Sequence, residues 1–268
     1  MITNPDRELW PGRTKRWLVE WYEAVAPVLV PHLAGRPLTL ARFPGGIGGR
    51  GFLQNECRGA PEYVRTVTLE LQGGRTRTYC VVDDARSLLW VANQSTVELH
   101  PYLGEPPVAV AFDLDPQPPR GLDDARRVAL RLHAELPHAV VKTSGATGLH
   151  VFVPNAERRG YGETRAFARA VAERLAAQTP EELSASTRPA ERAGRVFVDW
   201  LQNHPRRSTI APYSLRALRH GPGVSTPVAW DEVAHGAPLR FTPEEVLERI
   251  RRHGDLFAAA LPGRRPRA

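Results

Sequence analysis

Apolar residues recur at helical spacing in four segments of the chain. The clearest segment is Leu122 to Leu136, where apolar side chains face one way and arginines face the other, as in an amphipathic surface helix. A second helix is predicted from about Glu163 to Ala177, and a third after Thr242, where a capping residue and a proline open the segment. A fourth is predicted around Thr14 to Ala26.

Short apolar runs bounded by turn residues predict a set of strands between and around these helices. Because strands and helices interleave without strict alternation, we expect an α+β domain with mixed or antiparallel sheets and peripheral helices, not a doubly wound sheet. No linker divides the 268 residues, so a single domain over 1–268 is predicted, with 262–268 as a frayed basic tail. The predicted strands are Leu38 to Arg42, Val64 to Leu71, Thr78 to Val82, Leu88 to Ala92, Val108 to Leu114, Ala139 to Lys142, Leu149 to Pro154, Arg195 to Trp200 and Ser208 to Pro212.

Composition narrows the class of protein. The chain is 42% hydrophobic and 24% charged, which is typical of a folded globular protein. No apolar run approaches the roughly 20 residues that span a bilayer, and the polar first stretch does not resemble a signal peptide. We therefore expect a cytoplasmic protein without a membrane partner. The spacing of Cys57 and Cys80 fits neither a zinc site nor a disulfide framework, so oxygen ligands are expected for any metal.

The charge balance points to a polyanionic partner. The chain carries 36 basic and 29 acidic residues, a net charge of +7, which favours nucleic acid; chance scatter in an arginine-rich chain is the alternative. Only two of the basic residues are lysines, Lys15 and Lys142. A flexible point charge differs from a planar guanidinium, so the two positions either serve a specific role or are a chance remainder.

Three acids lie at the ends of predicted strands. Asp113 and Asp115 follow an apolar run, and residues i and i+2 of a strand point to the same face. Paired carboxylates repel one another unless a cation lies between them, and Mg²⁺ or Mn²⁺ suits such oxygen ligands. Asp199 interrupts a second apolar strand and would complete a two-metal site for displacement at phosphorus. The alternatives are a solvated turn and an ion pair of Asp199 with Arg195.

A polar turn lies between these acids in the sequence. Lys142, Ser144, Gly145 and His150 surround it, and its backbone amides could form an anion cradle for a triphosphate. The spacing is not that of a Walker loop. An ordinary polar hairpin is the alternative.

The order of these motifs resembles the polymerase domain of bacterial ligase D, in the archaeo-eukaryotic primase superfamily. Three motifs carry the resemblance: Asp-x-Asp-Pro at 113–116, Lys-Thr-Ser-Gly-x-x-Gly-Leu-His at 142–150, and Asp-Trp-Leu-Gln-Asn at 199–203. Shorter matches extend it over nearly the whole chain, at 4–7, 14–15, 32–37, 42–46, 93–94, 98–101, 211–217 and 224–227.

The resemblance implies a primase-polymerase fold and a metal-dependent nucleotidyltransferase. Such an enzyme extends primers and fills short gaps at DNA breaks in non-homologous end joining, favouring ribonucleotides, with two Mn²⁺ or Mg²⁺ ions and an NTP or dNTP substrate. The resemblance assigns the metals to Asp113, Asp115 and Asp199. It assigns the 5′-phosphate of the DNA to Lys15 and Arg7, and template stacking to Phe52. Nucleotide binding falls to Lys142, Ser144, Gly145, His150, Arg192, Gln202, Arg216 and Arg42.

The chain departs from the family pattern at three positions. Leu53 replaces a second stacking aromatic, Asn55 replaces a basic residue, and Glu191 replaces a common lysine, so weaker template stacking and phosphate binding are expected. Neither lysine begins the Lys-x-Asp-Gly of a ligase. The interpretation is a free-standing polymerase associated with the nucleoid, with a separate ligase and a Ku-like end-binding protein as partners.

Other functions use the same residues. A primase would start chains without a primer, and a non-catalytic module would hold DNA ends through Lys15, Arg7 and Phe52. A general two-metal phosphohydrolase would need the acids but not the cradle and Arg216.

Overall fold

The part of the chain that the structure describes contains six α-helices and fifteen short strands. The structure is a computed structural model that describes residues 1–71, 73–261 and 263. The helices are α1 (Lys15–Leu33), α2 (Ala85–Asn93), α3 (Leu122–Glu135), α4 (Tyr161–Gln178), α5 (Trp230–Ala234) and α6 (Pro243–His253). The strands are β1 (Glu8–Trp10), β2 (Arg13–Thr14), β3 (Leu38–Arg42), β4 (Phe52–Gln54), β5 (Thr66–Glu70), β6 (Thr76–Cys80), β7 (Thr96–Pro101), β8 (Ala109–Pro116), β9 (Val140–Thr143), β10 (Leu149–Pro154), β11 (Leu183–Ser184), β12 (Val196–Asp199), β13 (Leu215–Arg216), β14 (Gly223–Val224) and β15 (Pro227–Val228).

These elements divide between two compact units, each assembled from separated stretches of chain. The first unit comprises Met1–Gly104, Ser208–Ser225 and Phe241–Gly254. The second unit comprises Glu105–Arg207, Thr226–Arg240 and Asp255–Ala268. The single domain over 1–268 therefore stays a prediction, and of its basic tail 262–268 all but Gly263 lies outside the described residues.

The first unit is built around the long helix α1. This helix packs against α2 and α6, and Leu18, Tyr22 and Leu29 of α1 are completely buried. A three-stranded antiparallel sheet, β4-β3-β7, and the pairs β1-β2, β5-β6 and β13-β14 complete the unit. Its apolar core gathers α1, β3, α2 and β7, so a helical layer supports the small sheet.

The second unit contains the largest sheet, with the strand order β11-β12-β8-β10-β9-β15. All its pairings are antiparallel except β11 with β12. Helices α3 and α4 pack against β8. Phe112 and Leu114, which alternate with Asp113 and Asp115 along β8, are completely buried. The sheet thus has an apolar face, and its other face carries the acids.

Most of the elements expected from the hydrophobic pattern are present. Strands β3 and β10 have the predicted bounds, and α3, α4 and α6 form where the amphipathic spacing placed them. Helix α1 continues beyond Ala26 to Leu33 and contains both Pro27 and Pro31. Strand β7 was not predicted, because polar Glu98 and His100 alternate with its apolar residues.

Two predicted strands are wrong. Leu88 to Ala92 lies inside helix α2, which begins at a capping box formed by Asp84 and Ser87. Leu88, Val91 and Ala92 are its buried face, at helical rather than strand spacing. Ser208 to Pro212 forms no strand, and its Ser208 makes one isolated bridge to Tyr102.

The expectation for the cysteines is also wrong, because Cys57 and Cys80 form a disulfide. The Cys57 amide donates a hydrogen bond to the Thr78 carbonyl (2.7 Å). The segment after β4 therefore runs beside β6, and this places the two sulfurs together. The spacing of the two cysteines in the sequence does not indicate that pairing.

No helix within 1–71, 73–261 and 263 has the length and apolar character that crossing a bilayer requires.

Candidate active site

Strand register aligns Asp199, Asp113, His150 and Lys142 in one row across the large sheet. Asp113 on β8 lies directly opposite His150 on β10 and Asp199 on β12. His150 in turn lies opposite Lys142 on β9. Directly paired residues project from the same face of a sheet, so four neighbouring strands present two carboxylates, an imidazole and an ammonium side by side. We call this set the acid row.

Asp115 adds a third carboxylate to the same face, two residues beyond Asp113 on β8. It is exposed, and its Oδ2 accepts a hydrogen bond from Gln117 (2.8 Å). Asp199 is held by the Leu201 amide (2.8 Å) and by the Gln202 side chain (3.2 Å). The three predicted acids therefore share one face of the sheet, while each has a different local environment.

Burial sets the electrostatics of Asp199. It raises the pKa of this carboxyl, and the Leu201 amide and the guanidiniums of Arg207 and Arg192 act in the opposite direction. A half-buried carboxylate whose pKa stays raised lacks a full complement of positive charge around it. This position favours the approach of a cation.

His150 is held between Lys142 and Asp113. The Lys142 Nζ lies 3.1 Å from His150 Nδ1, and His150 Nε2 lies 3.3 Å from Asp113 Oδ1. Because an ammonium only donates hydrogen bonds, Nδ1 is the acceptor and the proton of the neutral ring lies on Nε2. His150 thus presents a donor toward the acids. Lys142 is completely buried, so the pair forms a fixed support for the Asp113 carboxylate.

The turn between β9 and β10 lies against the acids because of a glycine. A Cβ on Gly148 would stand 2.4 Å from the carbonyl oxygen of Leu114, so a side chain here would separate the turn from β8. Gly145 takes a positive φ of 76°, where a side chain would be strained. Ser144 Oγ accepts from the amides of Ala146 (3.2 Å) and Gly148 (3.0 Å). The expected cradle is therefore a tight, internally bonded loop beside Asp113 and Asp115.

Arg192 and Gln202 also belong to this region. The Arg192 Cζ lies 3.6 Å from the centre of the Phe197 ring, and Phe197 is the register partner of Asp115. The Arg192 guanidinium donates to the carbonyls of Ser186 and Thr187 (both 2.9 Å). Arg192 is thereby held over the face that carries the acids.

Sequence reasoning missed the role of Asn203. Its side chain is completely buried, accepts from the Ala111 amide (2.9 Å) and donates to the Ala111 carbonyl (2.7 Å). It therefore pairs with β8 as the next residue of a strand would, just after β12 has ended. This contact fixes the turn that follows Asp199. The available signal was the polar Gln-Asn pair directly after an apolar strand.

The first unit holds a separate basic cluster formed by Lys15, Arg7 and Arg42. Lys15 is buried and its Nζ donates to the Thr3 carbonyl and to Thr3 Oγ1 (2.8 Å). Burial, followed by the charges of Arg7 and Arg42, lowers the pKa of Lys15. Three cations close enough to oppose one another's charge form a potential anion site. Arg7 is exposed and donates to the Pro44 carbonyl (2.6 Å).

Phe52 shares a sheet face with Arg42. The two are register partners on β4 and β3, and the Arg42 Cζ is 5.5 Å from the centre of the Phe52 ring. The Phe52 side chain is 46% exposed, and Leu53 on the other face is 64% exposed. An exposed aromatic ring beside a guanidinium suits an unpaired base.

Arg216 lies in a charged group that the sequence did not reveal. Its Nη1 is 3.4 Å from Glu98 Oε2, which lies 2.8 Å from His100 Nε2. Burial alone would raise the pKa of Glu98, but the His100 hydrogen bond and Arg216 lower it below its usual range. The Ala217 amide also donates to Glu98 (2.8 Å). Glu98 thus orients Arg216 at the end of β13.

The two acids of the acid row, together with Asp115, match the chemistry of a hard divalent cation. All three acids supply oxygen ligands from one face, as Mg²⁺ and Mn²⁺ prefer. Among the residues described, no three His, Cys, Asp or Glu side chains already converge as a metal-holding group; the Asp113 carboxylate lies against His150, and that of Asp199 is turned toward Leu201 and Gln202. The donor set fits such an ion, although its oxygens do not already surround a common point.

Comparison with known proteins identifies the family. The model for the LigD primase-polymerase domain matches residues 14–257. The multifunctional non-homologous end joining protein LigD of Mycolicibacterium smegmatis is 35% identical over 271 residues, covering 96% of this chain and 35% of that protein. The Pseudomonas aeruginosa protein of the same name is 34% identical over 265 residues, covering 92% of this chain and 31% of that protein. The chain thus spans about a third of the length of these relatives.

The fold agrees with a solved structure. The polymerase domain of Mycobacterium tuberculosis ligase D in complex with DNA matches with a TM-score of 0.91 at 34% identity, over 96% of both chains. The expected α+β primase-polymerase fold and the expected enzyme class, a polymerase-type nucleotidyltransferase, are confirmed by these matches. This chain belongs to the LigD primase-polymerase domain family.

Proposed function

We propose that this chain is a metal-dependent nucleotidyltransferase that extends primers and fills short gaps at DNA breaks. The acid row is the observation that carries the proposal. It places Asp113 between Asp199 and His150 by strand register, with Asp115 on the same face. Carboxylates that share a face beside a glycine turn suit a reaction whose charge develops on phosphate oxygens.

Asp113, Asp115 and Asp199 would hold two Mn²⁺ or Mg²⁺ ions. Such ions lower the pKa of a hydroxyl nucleophile and neutralise charge on a reacting phosphate. The protein's part is to hold the three acids on one rigid sheet. Positioning of this kind supplies much of the rate enhancement in phosphoryl transfer.

The incoming NTP or dNTP would bind beside the acids. The proposal assigns its triphosphate to donors around the glycine turn, with His150 donating through Nε2 and Lys142 fixing that ring. Basic residues outside the row complete the set. The proposed nucleotide contacts are Ser144, Gly145, His150, Lys142, Arg192, Gln202, Arg42 and Arg216.

The basic cluster of the first unit would receive DNA. Lys15 and Arg7 are proposed to bind a 5′-phosphate across a gap, because their charges and that of Arg42 oppose one another until an anion is present. Phe52 is proposed to stack on an unpaired template base. The substitutions at Leu53, Asn55 and Glu191 are proposed to weaken these contacts.

The biological setting follows from the relatives. They are non-homologous end joining proteins, so we propose the same pathway for this chain, in the cytoplasm with the nucleoid. The proposed partners are broken DNA, a Ku-like end-binding protein and a separate ligase. The preference for ribonucleotides belongs to this proposal as well.

The test is extension of a labelled primer on a short gapped duplex, with and without a 5′-phosphate at the far side of the gap. Reactions with Mn²⁺, with Mg²⁺ and with chelator compare metals, and NTPs are compared with dNTPs. We expect metal-dependent incorporation that the 5′-phosphate stimulates and that is greater with NTPs. An unprimed template in parallel detects a primase.

Incorporation on unprimed template at the primed rate would replace the proposal with a primase that starts chains. No incorporation on any substrate, with tight DNA binding retained, would leave the non-catalytic end-binding module.

A further inference from the structure

Two arginines stack on Trp200 in the second unit, and two more lie near His204, all outside the residues assigned above. Arg165 and Arg169 lie one turn apart on α4, and their Cζ atoms are 5.3 Å and 5.4 Å from the centre of the Trp200 ring. The ring is buried, and its indole N–H donates to the Ala185 carbonyl (3.0 Å). Like charges four residues apart on a helix repel one another, and the fixed aromatic ring holds both guanidiniums in place.

Arg206 and Arg207 extend this set. Both are exposed, and the Arg206 amide donates to His204 Nδ1 (3.1 Å). Burial, followed by the charges of Arg165, Arg206 and Arg207, lowers the pKa of His204. The three guanidiniums therefore lie close enough to act on one imidazole. Arg165, Arg169, Arg206 and Arg207 are called the Trp200 cluster below.

Positive charge in the Trp200 cluster is only partly compensated: Arg207 lies close enough to Asp199 to lower the pKa of that carboxyl, against the effect of burial. Arg169 pairs with Glu173 (2.7 Å). Within the described residues, Arg165, Arg206 and Arg207 form no ion pair. Several other surface arginines of the second unit form ion pairs, as Arg127 does with Asp124 (2.5 Å). Cations held together without partners create a local positive potential, which a polyanion would stabilise.

A surface depression of about 360 Å³ lies beside the cluster. Its polar lining residues are Arg169 with its ion-pair partner Glu173, Ser186 and Thr187, beside Trp200. Guanidinium and hydroxyl groups donate to phosphate oxygens. Because Trp200 is only 6% exposed, its ring offers no open platform for a base. The lining therefore suits the backbone of a nucleic acid more than its bases.

We propose that the Trp200 cluster is a binding surface for the sugar–phosphate backbone of a nucleic-acid strand. Trp200 directly follows Asp199 in the chain, so the surface begins where the acid row ends. The identity of the anion rests on the proposed nucleotidyl transfer. The contact is independent of sequence, because phosphates carry no base information.

The test measures binding of a short fluorescein-labelled single strand by fluorescence anisotropy, without nucleotide or divalent metal, over a series of salt concentrations. The variant is Arg206→Ala with Arg207→Ala. Its matched control is Arg251→Ala with Arg252→Ala, an adjacent exposed pair on α6 in the first unit. Both variants remove two positive charges from the surface. Thermal unfolding of each shows that the fold is retained.

We expect the cluster variant to bind about tenfold more weakly at low salt, with a salt slope smaller by about 1.4 for two lost phosphate contacts on a single strand. The α6 control should keep the slope of the unchanged protein. A second variant, Arg165→Gln with Arg169→Gln, should weaken binding in the same direction, because it removes the two charges stacked on Trp200.

Equal weakening by the cluster variant and the α6 control would overturn the inference, since only net charge would then matter. Unchanged binding by both cluster variants would overturn it too. Loss of binding to a polyglutamate peptide by the cluster variants, with binding of the nucleic-acid strand retained, would also overturn the inference. The partner would then be an acidic protein.

Primer extension by the unchanged protein separates the two proposals. Cluster-specific binding without incorporation would refute the proposed function alone, and incorporation with unaltered binding by the cluster variants would refute this inference alone.

Discussion

The acid row of the second unit and the basic cluster of the first unit are built in different ways. In the acid row, Asp113 and its neighbours lie on adjacent paired strands, and their spacing is set by sheet register. In the basic cluster, Lys15 begins helix α1 while Arg7 lies in the turn before β1. Hydrogen bonds to Thr3 and Pro44 hold these two side chains.

This difference separates two demands on a polymerase. In-line chemistry at phosphorus requires side chains fixed to a fraction of an ångström, and paired strands provide that precision. Capture of a charged end depends on potential, which falls off gradually with distance. We therefore expect substitutions in the acid row to act on turnover, and substitutions in the basic cluster to act on DNA affinity.

The sharpest way to break the comparison is Asp113→Asn, which preserves shape and removes the charge at the centre of the row. We expect primer extension to fall about 10³-fold, as for loss of a group that stabilises a transition state, with DNA affinity within about twofold of the unchanged protein. The measurement is single-turnover extension together with anisotropy. Asp123→Asn, at an exposed acid on α3, is the matched control. Retention of a tenth of the activity would show that Asp113 is not central.

The double variant Cys57→Ser with Cys80→Ala tests how much the stability of the first unit depends on the disulfide. The bond closes a segment of 23 residues, so its loss should lower the free energy of unfolding by about 3 kcal/mol. The measurement is urea unfolding with and without reductant. Reductant should destabilise the unchanged protein and leave the variant as it was. A reductant-insensitive unchanged protein would contradict the disulfide.

Asn203→Ala sharpens the claim that register sets the acid row. It leaves the amide and carbonyl of Ala111 without their side-chain partner, at a cost of about 2 kcal/mol. Because the turn after Asp199 is then less well held, extension should also slow. The control Gln178→Ala, at an exposed position at the end of α4, should change the free energy of unfolding by less than about 0.5 kcal/mol. Urea unfolding and extension assays check both effects. Lost stability with unchanged extension would make Asn203 purely structural.

Lys15→Ala has the smallest expected effect and tests the other side of the comparison. Affinity for gapped DNA with a 5′-phosphate should fall about tenfold with a salt slope smaller by about one, while the same DNA without the phosphate should bind as before. Anisotropy with the two duplexes measures this. Equal weakening on both would remove the specific phosphate contact and leave Lys15 as a support for the N-terminal segment through Thr3.

The shared sheet face of Asp113 and Asp115 could be predicted from the sequence because strand periodicity is local. An apolar run that ends in Asp113 and Asp115 places both on one face whatever the partner strands are. It could not specify that His150 and Asp199 flank Asp113, because register is decided by packing between distant segments. The contacts of Asn203 with Ala111 and of Gly148 with Leu114 belong to the same long-range information.

The errors have the same origin. Leu88 to Ala92 is a short apolar run that suits a strand or a helix, and the capping box of Asp84 and Ser87 decides it. Cys57 and Cys80 meet because a chain segment returns beside β6. A hydrophobic pattern within a window of several residues shows neither a helix cap that lies outside the window nor a distant segment that packs beside it.

The interleaved chain path also shapes how the protein is made. The chain passes between the two units five times, at 104/105, 207/208, 225/226, 240/241 and 254/255. In the first unit, the indole N–H of Trp10 donates to the carbonyl of Leu218, 208 positions later, and α1 packs against α6. Part of the buried face of α1 therefore leaves the ribosome long before α6, the second of its partner helices, has been translated. We therefore expect the first unit to finish folding only after its C-terminal segment has been synthesised, with apolar surface of α1 open to aggregation until then.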